Sequence, residues 1–406
     1  MPNNPLLNRY SLAGLAATLI GNGIGRFAYI ALMPALIQAG WFSQSDASYL
    51  GVATLIGYIF GAPAANLLIK YFTVGQLIRT SMLVSSFSYL GCAFEGAPIL
   101  WFYVLRTLAG VAGAMLMVLA PPAIMRMHDS KIKARISGVI FSGIGLGAML
   151  SGTLIPLLIY HSLVSAWLGM GFVALGATLL TWNAWSAVDT WLINQNLSQT
   201  KGAASSFKDL SKPQAMTLAL ILSAYTFNAI GYLPHTLFWV DYIVRELEMS
   251  LLSGGLYWAT FGIGAAIGPI LTGMLGDRLG SKRSLLIAFT LKALGVSLPL
   301  LSTEPISLFM SSLLVGIFTP GTVTLVSTYT LESVGYGLHT KAWSMMTLSF
   351  AISQGVVGYA MAFYATTLTS YTLLFGISAC ALFLSVLCIA FTSHKHAEMT
   401  VIQPIS

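Results

Sequence analysis

The chain has 406 residues, 56% of them hydrophobic and 8% charged, with a formal net charge of +7. So apolar a composition excludes an ordinary soluble domain and is what a polytopic membrane protein requires. Cys92, Cys380 and Cys388 all fall in apolar stretches, and no zinc-type His/Glu pair, phosphate loop or dinucleotide fingerprint is present. That pattern excludes a disulfide scaffold, metal chemistry and ATP hydrolysis, and calls for no cofactor. No nucleophile and base stand at workable spacing, so an enzyme is not expected.

Twelve apolar stretches of about 20–30 residues are each long enough to cross a hydrocarbon core as a helix. The first, 10–38, carries Asn22, Arg26 and Tyr29 at i, i+4 and i+7, which places them on one helix face. It is too long for a cleaved leader and lacks a convincing small-residue cleavage site. Stretches 47–70 and 76–94 follow, then 98–125 with Arg106, 136–160 with a ladder of glycines, and 164–186. The polar interval 187–212 reads as a cytoplasmic linker with one amphipathic turn around Trp191, Leu192 and Ile193. Beyond it, 213–243 carries Asn228, Tyr232 and His235 on one face and Asp241 near its end, and 251–276 carries Trp258. Stretch 284–303 contains Lys292, whose long stem suits snorkelling toward the inner surface. The series ends with 305–330, 341–365 containing Gln354, and 370–392. Residues 1–186 and 213–406 are therefore expected as two six-helix units joined by the linker.

Orientation follows from the basic residues. With a cytoplasmic N-terminus, fifteen of the nineteen Lys and Arg residues lie on the inner side, from Arg9 and Lys70 to Lys341 and Lys395, and Arg245 alone lies outside. This positive-inside bias puts both termini in the cytoplasm and makes the net charge a topology signal, with no nucleic-acid partner implied. Arg26, Arg106 and Lys292 remain within the membrane. A charge at bilayer depth costs about 2.5–3.5 kcal/mol. No Asp or Glu lies well inside any apolar stretch, so an anionic solute is the expected partner of the two arginines.

The halves repeat. Asn22 to Arg26 returns as Asn228 to Tyr232, Gly110 as Gly316, Arg135 as Lys341 and Gly152 as Gly358, each at an offset of 206 residues. Gly57 and Gly61 return as Gly264 and Gly268 at 207. Two parallel repeats place a solute site near the membrane midplane between the halves, with alternating access by rocking.

Several motifs resemble those of the major facilitator superfamily. The run GMLGDRLGSKR, with Gly273, Asp277, Arg278, Gly280, Lys282 and Arg283, is similar to its signature loop. Arg106, Gly110 and Gly113 are similar to its arginine-glycine motif, and Gly138, Gly143, Gly145, Gly147 and Gly152 more loosely to its antiporter motif, without the Gly-Pro pair. Gly23 to Tyr29 followed by Met33 and Pro34 resembles the first helix of the YbfB/YjiJ-like group. The first copy of the signature loop departs from the pattern, since Lys70 stands where an acidic residue belongs. The resemblance implies an all-α membrane protein of twelve transmembrane helices in two pseudo-symmetric six-helix bundles. It further implies a secondary transporter of a bacterial inner membrane, usually working as a monomer. Its first, fourth, seventh and tenth helices would line the cavity, and Asp277 and Arg278 would serve an inner gate.

The expected solute contacts are Arg26 and Arg106, with Asn22, Tyr29, Asn228, Tyr232, His235, Trp258 and Gln354 adding hydrogen bonds or stacking. A structural or gating role for Arg106 has equal standing, and His235, Asp241 or the substrate's own ionisable groups are the candidates for proton coupling. Polycarboxylates and carboxylate-type siderophores fit the charge best, with aromatic acids behind them. The alternatives are an exporter of amphipathic drugs and a transporter-like sensor that binds without carrying.

Overall fold

The computed structural model describes residues 6–128, 133–196, 207–367 and 370–392. Among these the regular structure is entirely helical, and ten helices are long and apolar enough to span a membrane. In chain order the helices are α1 (Arg9–Gln38), α2 (Gln44–Leu68), α3 (Val74–Gly91), α4 (Ile99–Arg126), α5 (Lys133–Ile159) and α6 (Leu163–Asn196). They continue with α7 (Lys212–Gly231), α8 (Leu251–Leu279), α9 (Ser281–Leu301), α10 (Pro305–Gly335), α11 (Lys341–Thr367) and α12 (Thr372–Ala390).

Two of the expected stretches fall outside those ten spans, for different reasons. Helix α3 is diluted by Gln76, Arg79 and a run of serines, several of them buried. Helix α7 stops at Gly231 and resumes in fragments, Leu233–Leu237, Trp239–Asp241 and the π-turn Tyr242–Glu246. The break has a local cause: Pro234 offers no N–H and its ring crowds the carbonyl of Ile230. Tyr232 and Phe238 accordingly leave helical geometry, at φ −125° and −126°. Helices α10 and α11 are separated by Gly335, whose φ of +74° is open to glycine. Helix α6 runs into the polar interval as far as Asn196, past the anticipated turn at Trp191, and residues 197–206 of that interval lie outside the described residues.

The extra length of α6 has a use that the sequence reading missed. Asp189 accepts from Thr73 Oγ1 and the backbone N–H of Gly75, both at 2.6 Å, so a carboxylate caps the start of α3. At the corresponding end of the second half the polarity is reversed. Lys282 near the start of α9 donates to the carbonyls of Ala390 and Thr392 at the end of α12.

The halves meet where small residues let backbones touch. On α5, Gly145 and Gly152 face Gly262 and Gly255 of α8, and a Cβ on Gly262 would stand 2.7 Å from the carbonyl oxygen of Gly145. Trp258 of α8 donates its indole N–H to Ser151 of α5 at 3.0 Å. On the opposite side α2 packs on α11, with Tyr49 against Tyr359 and Leu55 against Gly358.

Candidate functional site

Arg26 owes its direction to an irregular helix. Between Leu19 and Ile24, α1 widens into a π-turn, and the carbonyl of Asn22 accepts from the N–H groups of both Arg26 and Phe27. Gly21, Gly23 and Gly25 make the turn tolerable, and Gly23 is also forced by proximity, since a Cβ there would lie 2.8 Å from Cα of Gly147. Such single-turn bulges re-aim side chains. Here Arg26 is 8% exposed, with Nε and Nη2 lacking any hydrogen-bond partner. Those two nitrogens form one edge of the guanidinium plane, the edge that takes a carboxylate side-on through two parallel bonds.

Aromatic groups lie near the arginine. Tyr58 of α2 and Tyr232 beyond α7 lie close enough to feel the arginine's charge, and the Phe27 ring centroid is 5.3 Å from Cζ. Tyr225 stacks on Phe350 at 4.7 Å and tilts toward Trp343 at 5.8 Å, while Phe350 lies 6.3 Å from Tyr232. Gln354 fixes Tyr232 by donating to its hydroxyl at 2.9 Å and to the carbonyl of Ala229 at 3.3 Å. Tyr58, Tyr225, Trp343 and Phe350 are additions to the expected set. A signal for Tyr225 was present, because Tyr225, Asn228 and Tyr232 fall at i, i+3 and i+7.

Arg106 stands in a different setting. Its Cζ lies 5.0 Å from the ring centroid of Tyr29 and 5.1 Å from that of Tyr89, and Trp167 packs behind both rings. The Tyr29 hydroxyl donates to the carbonyl of Ala47 at 2.7 Å and that of Tyr89 to Ile24 at 2.5 Å, so the rings are fixed faces. Arg106 is 1% exposed and, among the described residues, none of its three guanidinium nitrogens makes a hydrogen bond of good geometry. The cation is held by ring quadrupoles within the first half. Tyr29 is thus a wall of the Arg106 box.

The other expected residues divide between the centre and its supports. Asn22 faces Tyr58, and its Oδ1 has no partner within hydrogen-bonding geometry. Asn228 accepts from Nζ of Lys292 at 3.0 Å. Lys292 is fully buried, with Nζ 3.9 Å from the ring centroid of Tyr232, so it does not snorkel as expected. The break after Gly231 ends the face that Asn228 and His235 were expected to share. His235 instead pairs with Ser311 of α10 at 2.8 Å, stacks on Trp239 at 4.3 Å and meets Phe375 of α12 edge-on, all within the second half. Trp258 is fully buried, stacked on Phe261 at 4.5 Å and edge-on to Phe27 at 5.6 Å.

The two ends of the helix assembly differ. At one, Asp241 is paired with Arg245 at 3.1 Å and accepts from the Tyr371 hydroxyl. Arg245 donates to Gln44 of α2 at 3.1 Å, and Gln44 donates to the carbonyl of Ala365 at 2.8 Å, which ties the halves together. At the other, Asp277 and Arg278 are exposed. Neither belongs to the two salt bridges among the described residues, Arg79–Asp189 and Arg245–Asp241.

The helices and the buried cationic, aromatic-lined centre define a multi-pass membrane protein built around a polar interior. Residues 18–390 match the family described as "Uncharacterised MFS-type transporter YbfB", and the chain belongs to it: it is a transporter of the MFS type. It is 26% identical over 387 residues to a protein of Haemophilus influenzae named "Putative metabolite transport protein", covering 90% of this chain and 91% of that one. It is also 26% identical over 326 residues to the "Gallate transporter" of Pseudomonas putida, covering 71% and 69%.

Proposed function

We propose that this protein is a secondary transporter, and not an enzyme, that carries a small aromatic carboxylate across a bacterial inner membrane by alternating access. The observation that carries the proposal is the free Nε–Nη2 edge of Arg26, an arginine that lies beside aromatic groups from both halves, Tyr58 from one and Tyr232 from the other. A planar carboxylate matches the edge, and an attached ring matches those groups. The charge count that favoured polycarboxylates and siderophores used two arginines, and enclosure of Arg106 between Tyr29 and Tyr89 removes the second. Similarity to a gallate transporter supports the same class, gallate being a trihydroxybenzoate.

In this reading α3 and the broken run 212–246 are the third and seventh of twelve spans. Residues 1–186 and 213–406 form two six-helix bundles joined by a cytoplasmic linker, both termini are cytoplasmic, and the working unit is a monomer. The Gln44–Arg245–Asp241 cluster then seals the outer end, while the exposed Asp277 and Arg278 belong to an open inner gate. Closing the inner side would engage that pair and release the outer cluster. Gly145, Gly152, Gly255 and Gly262 supply a smooth seam for the rocking.

Counterflow in proteoliposomes tests the proposal, with benzoate, 4-hydroxybenzoate, 3,4,5-trihydroxybenzoate, citrate and a lipophilic phosphonium cation as probes. Exchange of at least one benzoate, lost in Arg26→Met, is expected. Exchange confined to citrate or the cation would overturn the substrate class, and specific binding without exchange of any probe would favour a sensor.

A further inference from the structure

Lys292 has no place in the reading above, yet it is the third cation of the membrane interior and the best connected. Its helix, α9, packs against α7, α8, α10 and α12. From α7 and its continuation come Asn228, whose Oδ1 accepts from Nζ, the Tyr232 ring beneath Nζ, and His235, near enough to sense its charge. The charged and titratable groups of the other neighbours lie elsewhere. Tyr257 bonds to Pro305, Tyr329 donates to Thr392, Asp277, Arg278 and Cys380 are exposed, Cys388 is half-exposed, and Glu332 accepts from Ser281 at the helix end. Among the described residues, one amide oxygen and one ring face hold this fully buried cation, and no carboxylate is paired with it.

An unpaired buried ammonium has two ways to lower its cost: an anion can arrive, or a proton can leave. The Tyr232 ring beneath Lys292 also lies beside Arg26, the group with the free carboxylate edge. An anion seated on Arg26 would therefore place its negative charge one ring away from Nζ.

We infer that Lys292 is the proton carrier of this transporter, charged when the aromatic carboxylate is seated and neutral when the site is empty. The inference rests on the carboxylate reading of Arg26. In each cycle Nζ takes one proton from water on the loading side as the anion binds. After the anion leaves, one N–H bond breaks, the proton passes to water on the release side, and the neutral amine keeps its contact with Asn228. One proton moves with each anion, so transport of a monocarboxylate is electroneutral.

The test uses the full-length protein in proteoliposomes with the three benzoates. Counterflow without a gradient reads transport alone, and accumulation driven by a pH difference of about one unit, against protein-free vesicles, reads coupling. Wild type is expected to exchange at least one benzoate and to accumulate it up to about tenfold, the ratio that one proton across one pH unit supports. Lys292→Arg and Lys292→Gln, which cannot cycle a proton, are expected to retain exchange and lose accumulation. If wild type exchanges none of the benzoates, the carboxylate reading fails and this inference with it. Accumulation by Lys292→Arg or Lys292→Gln at the wild-type level would overturn the inference while leaving the carboxylate reading intact. As a reading independent of the variants, a pH-sensitive dye should report one proton per benzoate during transport by wild type, and zero would overturn it.

Discussion

Each half encloses a cation against aromatic rings, Arg106 in the first and Lys292 in the second, with different chemistry. In the first, Arg106 sits between Tyr29 and Tyr89 with none of its three guanidinium nitrogens in a hydrogen bond of good geometry. In the second, Lys292 rests on Tyr232 and donates to Asn228. At the 206-residue offset Arg106 corresponds to Ser312, Lys292 to Ser86, and Tyr29 to His235. Each cation thus faces a serine in the other repeat, and the cation has moved from α4 to α9. A permanently charged guanidinium suits a fixed field, whereas an ammonium can discharge when buried. The halves are alike in packing and unlike in what their charges can do.

That contrast can be broken or sharpened by substitution. The largest effect is expected at Arg26, the third buried cation. Arg26→Met removes two charge-assisted hydrogen bonds worth about 3 kcal/mol to a carboxylate, and benzoate affinity in a thermal-shift titration should fall about 100-fold. If affinity is unchanged, the anion sits elsewhere. Next comes Arg106→Met, which exchanges an unsatisfied buried guanidinium for an apolar chain of similar reach. Thermal stability in detergent should rise by an amount equivalent to about 1–3 kcal/mol. A fall in stability would mean that the Tyr29–Tyr89 box more than offsets the unmet donors. A smaller effect is expected for the pair Lys292 and Asn228. A double-mutant cycle with Lys292→Met and Asn228→Ala should return a coupling of about 1–2 kcal/mol, and zero would remove the hydrogen bond from the account. The smallest belongs to Tyr232→Phe, which keeps the ring under Lys292 and removes the hydroxyl that meets Gln354 and Arg26, for about 1 kcal/mol of stability; a larger loss, or a loss of coupling, would make the hydroxyl part of the proton path.

Much of the outline was legible in the chain itself. Hydrophobic length located the spans, since crossing a bilayer requires a continuous apolar run whatever its surroundings. The glycines of the repeats proved to be close-approach positions, Gly57 and Gly61 against α4, Gly264 and Gly268 against α10. Arg26 was visible as a charge without a partner. The face Asn228–Tyr232–His235 was less secure, because helical periodicity presumes an unbroken helix and Pro234 ends one. Lys292 was misread because snorkelling depends on where the stem can reach, and that depends on what the neighbouring helices offer.

The sequence determined the membrane environment, the positions of the apolar spans and the presence of three cations among them, because hydrophobicity and charge act locally along a chain. Only the tertiary structure decided their separate roles. Arg26 follows a π-turn and lies near Tyr58 and Tyr232, Tyr29 and Tyr89 closed on Arg106, and Asn228 and Tyr232 came to Lys292. The fate of a buried charge is set by the few ångströms around it, and those are filled by residues distant in sequence.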